Sequence, residues 1–179
     1  MEVRPNLIVL SVGLSGSSLL VAMLEALGWV ANDPDPRFHE MPWVSEVNNS
    51  LLRGDPFPGD MVDRALTLLR QPWVLKDPRL VRTLEAWTPF VLPYRPMLLW
   101  LERDFVAVRE SYRKRGMFVG PDSAPGLYGL TVEGLVAAAA EQARLWPGPV
   151  LRIRYESLLA AASLARSAGQ SRGEGGLWL

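Results

Sequence analysis

Leu7 to Val12 is a short apolar run that gives way to small residues, after which Leu19, Leu20, Met23, Leu24 and Leu27 recur at helical spacing until Gly28. The period changes from that of a buried strand to that of an amphipathic helix, so the segment predicts strand, loop, helix. The alternation continues along the chain. Helices are expected over 43–52 and 60–70, parted by the turn-rich run GDPFPGD. Trp73 to Lys76 reads as a second buried strand ended by Asp77 and Pro78, and 80–88 as a short helix stopped before Pro89. Met97 to Leu101 is a third apolar run. Asp104 is the expected N-cap of a helix to Arg115, and Thr131 that of a helix through Leu145. Val150 to Tyr155 reads as a further strand and Ser157 to Ala168 as a final helix. Residues 32–42, with three prolines, and the Gly/Pro-rich 116–130 read as irregular connections, and 169–179 as a polar, Gly-rich tail.

Strands separated by helices of this length imply parallel βαβ units with helices on both faces. The expected fold class is α/β, a three-layer α/β/α domain with a central parallel sheet of the P-loop nucleotide-binding type. Its 179 residues fit a single domain. In such sheets ligands bind beyond the carboxyl ends of the strands, where the strand order reverses. That gathers Gly13 to Ser18, Asp77 to Arg79 and Glu102 to Asp104 around one crevice.

Charge and composition then narrow the chemistry. Nineteen basic residues balance nineteen acidic ones, so no whole-molecule field recruits nucleic acid. The absence of Cys excludes disulfides and thiolate chemistry, and a single His excludes His-rich metal sets. The run from Leu7 to Ala31 imitates a secretion signal, but Gly13 and Gly16 interrupt it and Glu25 lies inside it. No membrane span is expected, and the cytoplasm is the expected compartment.

The segment VGLSGSS joins a strand to a helix with two glycines, three hydroxyls and the unpaired N–H groups of a helix start. Such a loop suits a phosphate, although a turn packed on small residues would use the same composition. Nucleotide triphosphatases also place a Lys before the Ser/Thr that touches Mg²⁺, and Gly16, Ser17, Ser18 offers none. A nucleotide kinase is therefore the least favoured alternative.

The order SVGLSGSSLLVAMLEALG, WVLKDPRL, LWLERDFVAVRESY, VLRIRYESLL, over about residues 7–160, resembles the sulfotransferases that use 3′-phosphoadenosine 5′-phosphosulfate (PAPS), above all the bacterial carbohydrate-type and tyrosylprotein-type branches. The resemblance implies transfer of a sulfuryl group from PAPS to a hydroxyl or amine without a metal. It assigns the 5′-phosphosulfate end to Gly13, Leu14, Ser15, Gly16, Ser17 and Ser18, and the 3′-phosphate to Arg103 and Ser111, eight positions apart. An Arg fork at a strand end and a hydroxyl two turns up the next helix can converge on one phosphate. Lys76, with Arg79 beside it, falls where the family carries a Lys near the sulfuryl group. The alternative is an edge Lys paired to Asp77.

In DPDPRFHEMPWVSEVNNSLL the family register makes Glu40 the general base and puts Asn49 in the pocket. His39 is the rival base, because its ordinary pKa lies near neutrality. Arg172 and Gly173 resemble a Gly-rich 3′-phosphate loop, with Trp178 beyond them. The set Arg109, Arg113, Lys114, Arg115 reads as a solvated helix end. Two departures stand out: Leu14 occupies the loop position where the family has Lys or Arg, and Phe105 replaces a common Pro. A missing preorganised donor costs about 3 to 4 kcal/mol of transition-state stabilisation. The second function class is therefore a catalytically silent nucleotide-binding or protein-interaction module of the same fold. The acceptor and the oligomeric state have no signature in the chain.

Overall fold

The computed structural model describes residues 4–31, 39–116, 129–161 and 163–164. In chain order the elements are β1 (Leu7–Ser11), α1 (Ser17–Ala26), α2 (Pro42–Leu52), α3 (Gly59–Leu68), β2 (Val74–Lys76), α4 (Leu80–Val91), β3 (Met97–Glu102), α5 (Phe105–Lys114), α6 (Val132–Leu145) and β4 (Val150–Arg154). A last helix, α7, starts at 155 and runs through 161. All strand pairs are parallel, in the order β2-β1-β3-β4.

Central β1 is buried along its whole length, and its alternation feeds two separate cores. Ile8, Leu10 and Val12 face a cluster built by α2, α3, α4, α5 and α6 around Val44, Leu66, Trp87, Tyr112 and Leu135. Leu7 and Val9 face the other way, onto Leu20, Val21 and Leu24 of α1 and Leu158 of α7. Helices therefore cover both sides of the sheet, which is the expected three-layer α/β/α architecture with a central parallel sheet. The chain leaves β1 for β2 on one side and returns to β3 on the other. The order reverses at β1, so the crevice opens beyond Ser11.

Several boundaries differ from the sequence reading. The second strand starts at Val74, with Trp73 reaching only an isolated bridge to Val30. Helix α4 does not stop before Pro89 but runs through it to Val91; the buried Trp87 and Val91 fix the final turn despite the backbone hydrogen bond that Pro89 cannot donate. The fourth strand ends at Arg154, and Tyr155 already begins α7, two residues ahead of Ser157. Both expected caps are present: Asp104 Oδ1 accepts from Ala107 N at 3.0 Å, and Thr131 Oγ1 from Gly134 N at 3.1 Å. Residues 32–38 of the expected connection at 32–42, residues 117–128 of that at 116–130, the helix beyond 164 and the tail with Arg172 lie outside the described residues. Among the described residues no helix is long and apolar enough to cross a membrane.

Candidate functional site

The turn from β1 into α1 needs backbone that most residues resist. Leu14 has φ 60°, and Gly16, at the N-cap of α1, has φ 93°. The space beside the glycines is already filled. A Cβ on Gly16 would fall 2.1 Å from the Tyr155 ring, and one on Gly13 would fall 2.6 Å from the Tyr112 hydroxyl. Leu14 is half-buried and packs against the core of the α2–α6 layer. Ser11 and Ser15 are buried, and their hydroxyls have no hydrogen-bond partner among the described residues. The glycines thus admit the Tyr155 and Tyr112 side chains close to the backbone, and the two buried hydroxyls keep hydrogen-bonding capacity unspent.

Arg103 connects β3 to this loop. Its Nη1 donates to the Leu14 carbonyl at 2.8 Å and to Ser111 Oγ at 3.2 Å, while its guanidinium lies over the Tyr155 ring, 4.6 Å from the centroid. The local cause is the Asp104 cap, which starts α5 directly after Arg103, so that Ser111 comes round two turns later on the same side. Ser111 in turn donates to the Ala107 carbonyl at 2.8 Å. The spacing of eight residues therefore brings Arg103 and Ser111 together against the loop.

At the carboxyl end of β2 lies an ion network. Lys76, 4% exposed, donates from Nζ to Glu40 Oε1 at 2.8 Å, across 36 residues of sequence. Arg79 Nη1 lies 3.5 Å from Glu40 Oε2 and 3.0 Å from Asp77 Oδ2. Asp77 also accepts from Ser45 Oγ of α2 at 2.7 Å and from the Arg79 backbone N–H at 2.8 Å. The pairing of β1 with β2, Val9 opposite Lys76, sets this network beside the loop, and Pro78 Cβ stands 3.8 Å from where a Gly13 Cβ would be. Gly13 to Ser18, Asp77 to Arg79 and Arg103 do lie side by side at the carboxyl ends of β1, β2 and β3. Of the other two expected members, Asp104 caps α5 and Glu102 is hydrogen-bonded to Arg152 of β4, a bond that holds the Arg152 guanidinium above its ordinary range.

His39 goes elsewhere. Its Nδ1 is 2.9 Å from Glu25 Oε2, and Glu25 sits eight residues along α1 from Ser17, about 12 Å by helical rise from the loop end. Asn49 is half-buried. The fully buried amide is its neighbour Asn48, whose Oδ1 accepts from Thr83 Oγ1 and Trp87 Nε1, each at 2.7 Å, and so ties α2 to α4. Arg109, Arg113, Lys114 and Arg115 are exposed, with Arg113 paired to Glu110. Arg172 lies outside the described residues. Sequence reasoning missed Ser45, Tyr112 and Tyr155, and placed Asp77 at the crevice with no role beyond strand terminator or partner of Lys76.

No protein-family model matches the chain, and no curated protein matches it. Among solved structures the chain is similar to a gluconokinase from Sinorhizobium meliloti 1021, at 17% identity over 98% of this chain and 100% of that one, with a TM-score of 0.46. A likeness at that level does not bear on what the crevice does.

Proposed function

We propose that the chain binds a 3′-phosphorylated adenine nucleotide and moves a sulfuryl group from PAPS to a hydroxyl or amine acceptor. The observation that carries this reading is the 3.2 Å approach of Arg103 Nη1 to Ser111 Oγ, against the β1–α1 loop. A guanidinium fork and a hydroxyl so placed recognise one phosphate, and the backbone N–H groups at the start of α1 suit another. The residues present therefore fit the two phosphate ends of such a nucleotide. Bound PAPS would supply the sulfuryl group, with adenosine 3′,5′-bisphosphate (PAP) as product.

The rest is the work of this chain's own residues. Backbone N–H groups of Gly13 to Ser18 would hold the 5′-phosphate. Lys76 and Arg79 would meet negative charge on the leaving phosphate, a task that Leu14 cannot share. Glu40 would take the acceptor's proton once Lys76 turns from it, which makes Lys76 a partner in both halves of the step. His39 is the weaker candidate base because Glu25 holds it along α1. Leu14 packed on the core, with its carbonyl engaging Arg103, favours a second reading: a module that binds the nucleotide and transfers nothing.

Calorimetric titration with PAP, PAPS, ATP and adenosine 5′-monophosphate (AMP) tests the reading. PAP should bind about 10- to 100-fold more tightly than AMP, the equivalent of one charge-assisted contact of roughly 1.5 to 3 kcal/mol. Equal affinities would remove the assignment, and preference for ATP with Mg²⁺ would point to a kinase. Labelled PAPS with sugar, phenol and amine acceptors then separates enzyme from silent module.

A further inference from the structure

Asp77 has no exposed surface. A buried carboxylate is costly unless it is paired and hydrogen-bonded, and Asp77 accepts from Ser45 Oγ at 2.7 Å, from the Arg79 amide at 2.8 Å and from Arg79 Nη1 at 3.0 and 3.2 Å. Arg79 is thereby drawn toward one carboxylate and away from another. Its Nη1 stands 3.5 Å from Glu40, whereas Lys76 Nζ is 2.8 Å from the same group. The inequality has a chemical consequence, because a guanidinium free to turn would form a two-pronged pair with Glu40 and fix that carboxylate more firmly than one ammonium does.

We propose that Asp77, anchored to α2 through Ser45, is a positioning residue that holds Arg79 to a long, single-pronged contact with Glu40 and leaves Lys76 as the closer cation. Only the effect on transfer rests on the function proposed above; the clamp itself is a matter of ion pairing. Removing the Asp77 charge releases Arg79 to close on Glu40, and Glu40 then has two cations to shed before it can accept a proton.

Double-mutant cycles by urea unfolding test this, using Asp77→Asn, Arg79→Met and Glu40→Gln. Coupling between Asp77 and Arg79 should change the unfolding equilibrium constant by about tenfold, within the range for members of one ion network. Coupling between Glu40 and Arg79 should be below about threefold in the native background and rise to about tenfold in the Asp77→Asn background. No rise overturns the proposal. Should Asp77→Asn fail to fold, nitrogen-15 spectra of the Arg79 guanidinium in the native chain and in Glu40→Gln decide the matter. Slow guanidinium rotation in both supports Asp77 as the holder, and fast rotation in Glu40→Gln overturns it. With PAPS and a working acceptor, Asp77→Asn should lower kcat by about tenfold while KM for PAPS stays within about twofold. A kcat left at the native value contradicts the proposal, whereas correct cycles with no transfer by the native chain would sink the sulfotransferase reading alone.

Discussion

Around the β1–α1 loop the chain offers backbone, two glycines and buried hydroxyls, with Arg103 as the cation in contact, whereas at the end of β2 it packs Lys76, Arg79, Glu40 and Asp77 into one network. The first half is shaped but poor in charge. The second is rich in charge but balanced, two cations against two carboxylates. A loop without a Lys can still hold a phosphate, since aligned N–H groups and the helix start supply the field. Charge that grows during a reaction needs a mobile or preorganised cation, and the nearest stock is at β2, reached across Gly13 and Pro78. The proposed function thus puts binding and chemistry at different strand ends, so that each could be broken without the other.

The largest expected effect lies in the charged half. Glu40→Gln should lower turnover by about 10²- to 10⁴-fold, the usual worth of a general base, while PAP affinity stays within a few fold. His39→Ala should do far less. A single-turnover assay with labelled PAPS reads both, and the reverse order would make His39 the base.

Next in size is the shape of the loop half. Gly16→Ala should cost about 2 to 4 kcal/mol, because the new Cβ would drive into the Tyr155 ring and the backbone is left-handed there. Gly54→Ala is the control. Its φ of 89° is similar but nothing lies near its Cβ position, so only the conformational cost of about 1 to 2 kcal/mol remains. Thermal unfolding of the two variants separates packing from strain, and equal losses would mean that Tyr155 yields.

Leu14→Arg brings charge into the charge-poor half. Because Leu14 packs on the core, the substitution should cost about 1 to 3 kcal/mol of stability. In a working sulfotransferase it should nonetheless raise the transfer rate more than it tightens PAP binding. A stable variant with no gain in rate would favour the silent module.

The smallest effect lies outside both halves. The Asp55 carboxyl is held below its ordinary range, first by the hydrogen bond from Ser50 and then, against desolvation, by the Arg53 charge. A carboxyl lowered in the folded state contributes stability above its unfolded pKa of about 3.9, and that contribution is lost as pH falls through the lower folded value. Ser50→Ala should therefore lower the unfolding temperature slightly at pH 6 and by less at pH 2. A matching loss at both would contradict the sign.

How much of this was legible depends on the range of each interaction. The caps at Asp104 and Thr131 were readable because each is settled within one helical turn, whereas Arg103 and Ser111 were singled out by the family resemblance and are brought together by side-chain reach over two turns. The contact of Lys76 with Glu40 joins residues 36 apart, and residue chemistry alone left open whether Lys76 paired with its neighbour Asp77. Tyr155 against Gly16 had no signal in either segment, since it depends on where the end of β4 falls beside α1. Pro89 misled because a breaker near a helix end yields to the burial of Trp87 and Val91. Leu14 was visible as a departure, but its left-handed backbone and its packing on the core were not.

The central claim is that Arg103 and Ser111 read a 3′-phosphate, and the PAP-to-AMP affinity ratio of the native chain and of Arg103→Met tests it most directly. The account predicts a ratio of about 10 to 100 in the native chain, the worth of one charge-assisted phosphate contact, falling to near one in Arg103→Met while AMP affinity holds. A native ratio near one, or a ratio that survives loss of the guanidinium, would contradict it.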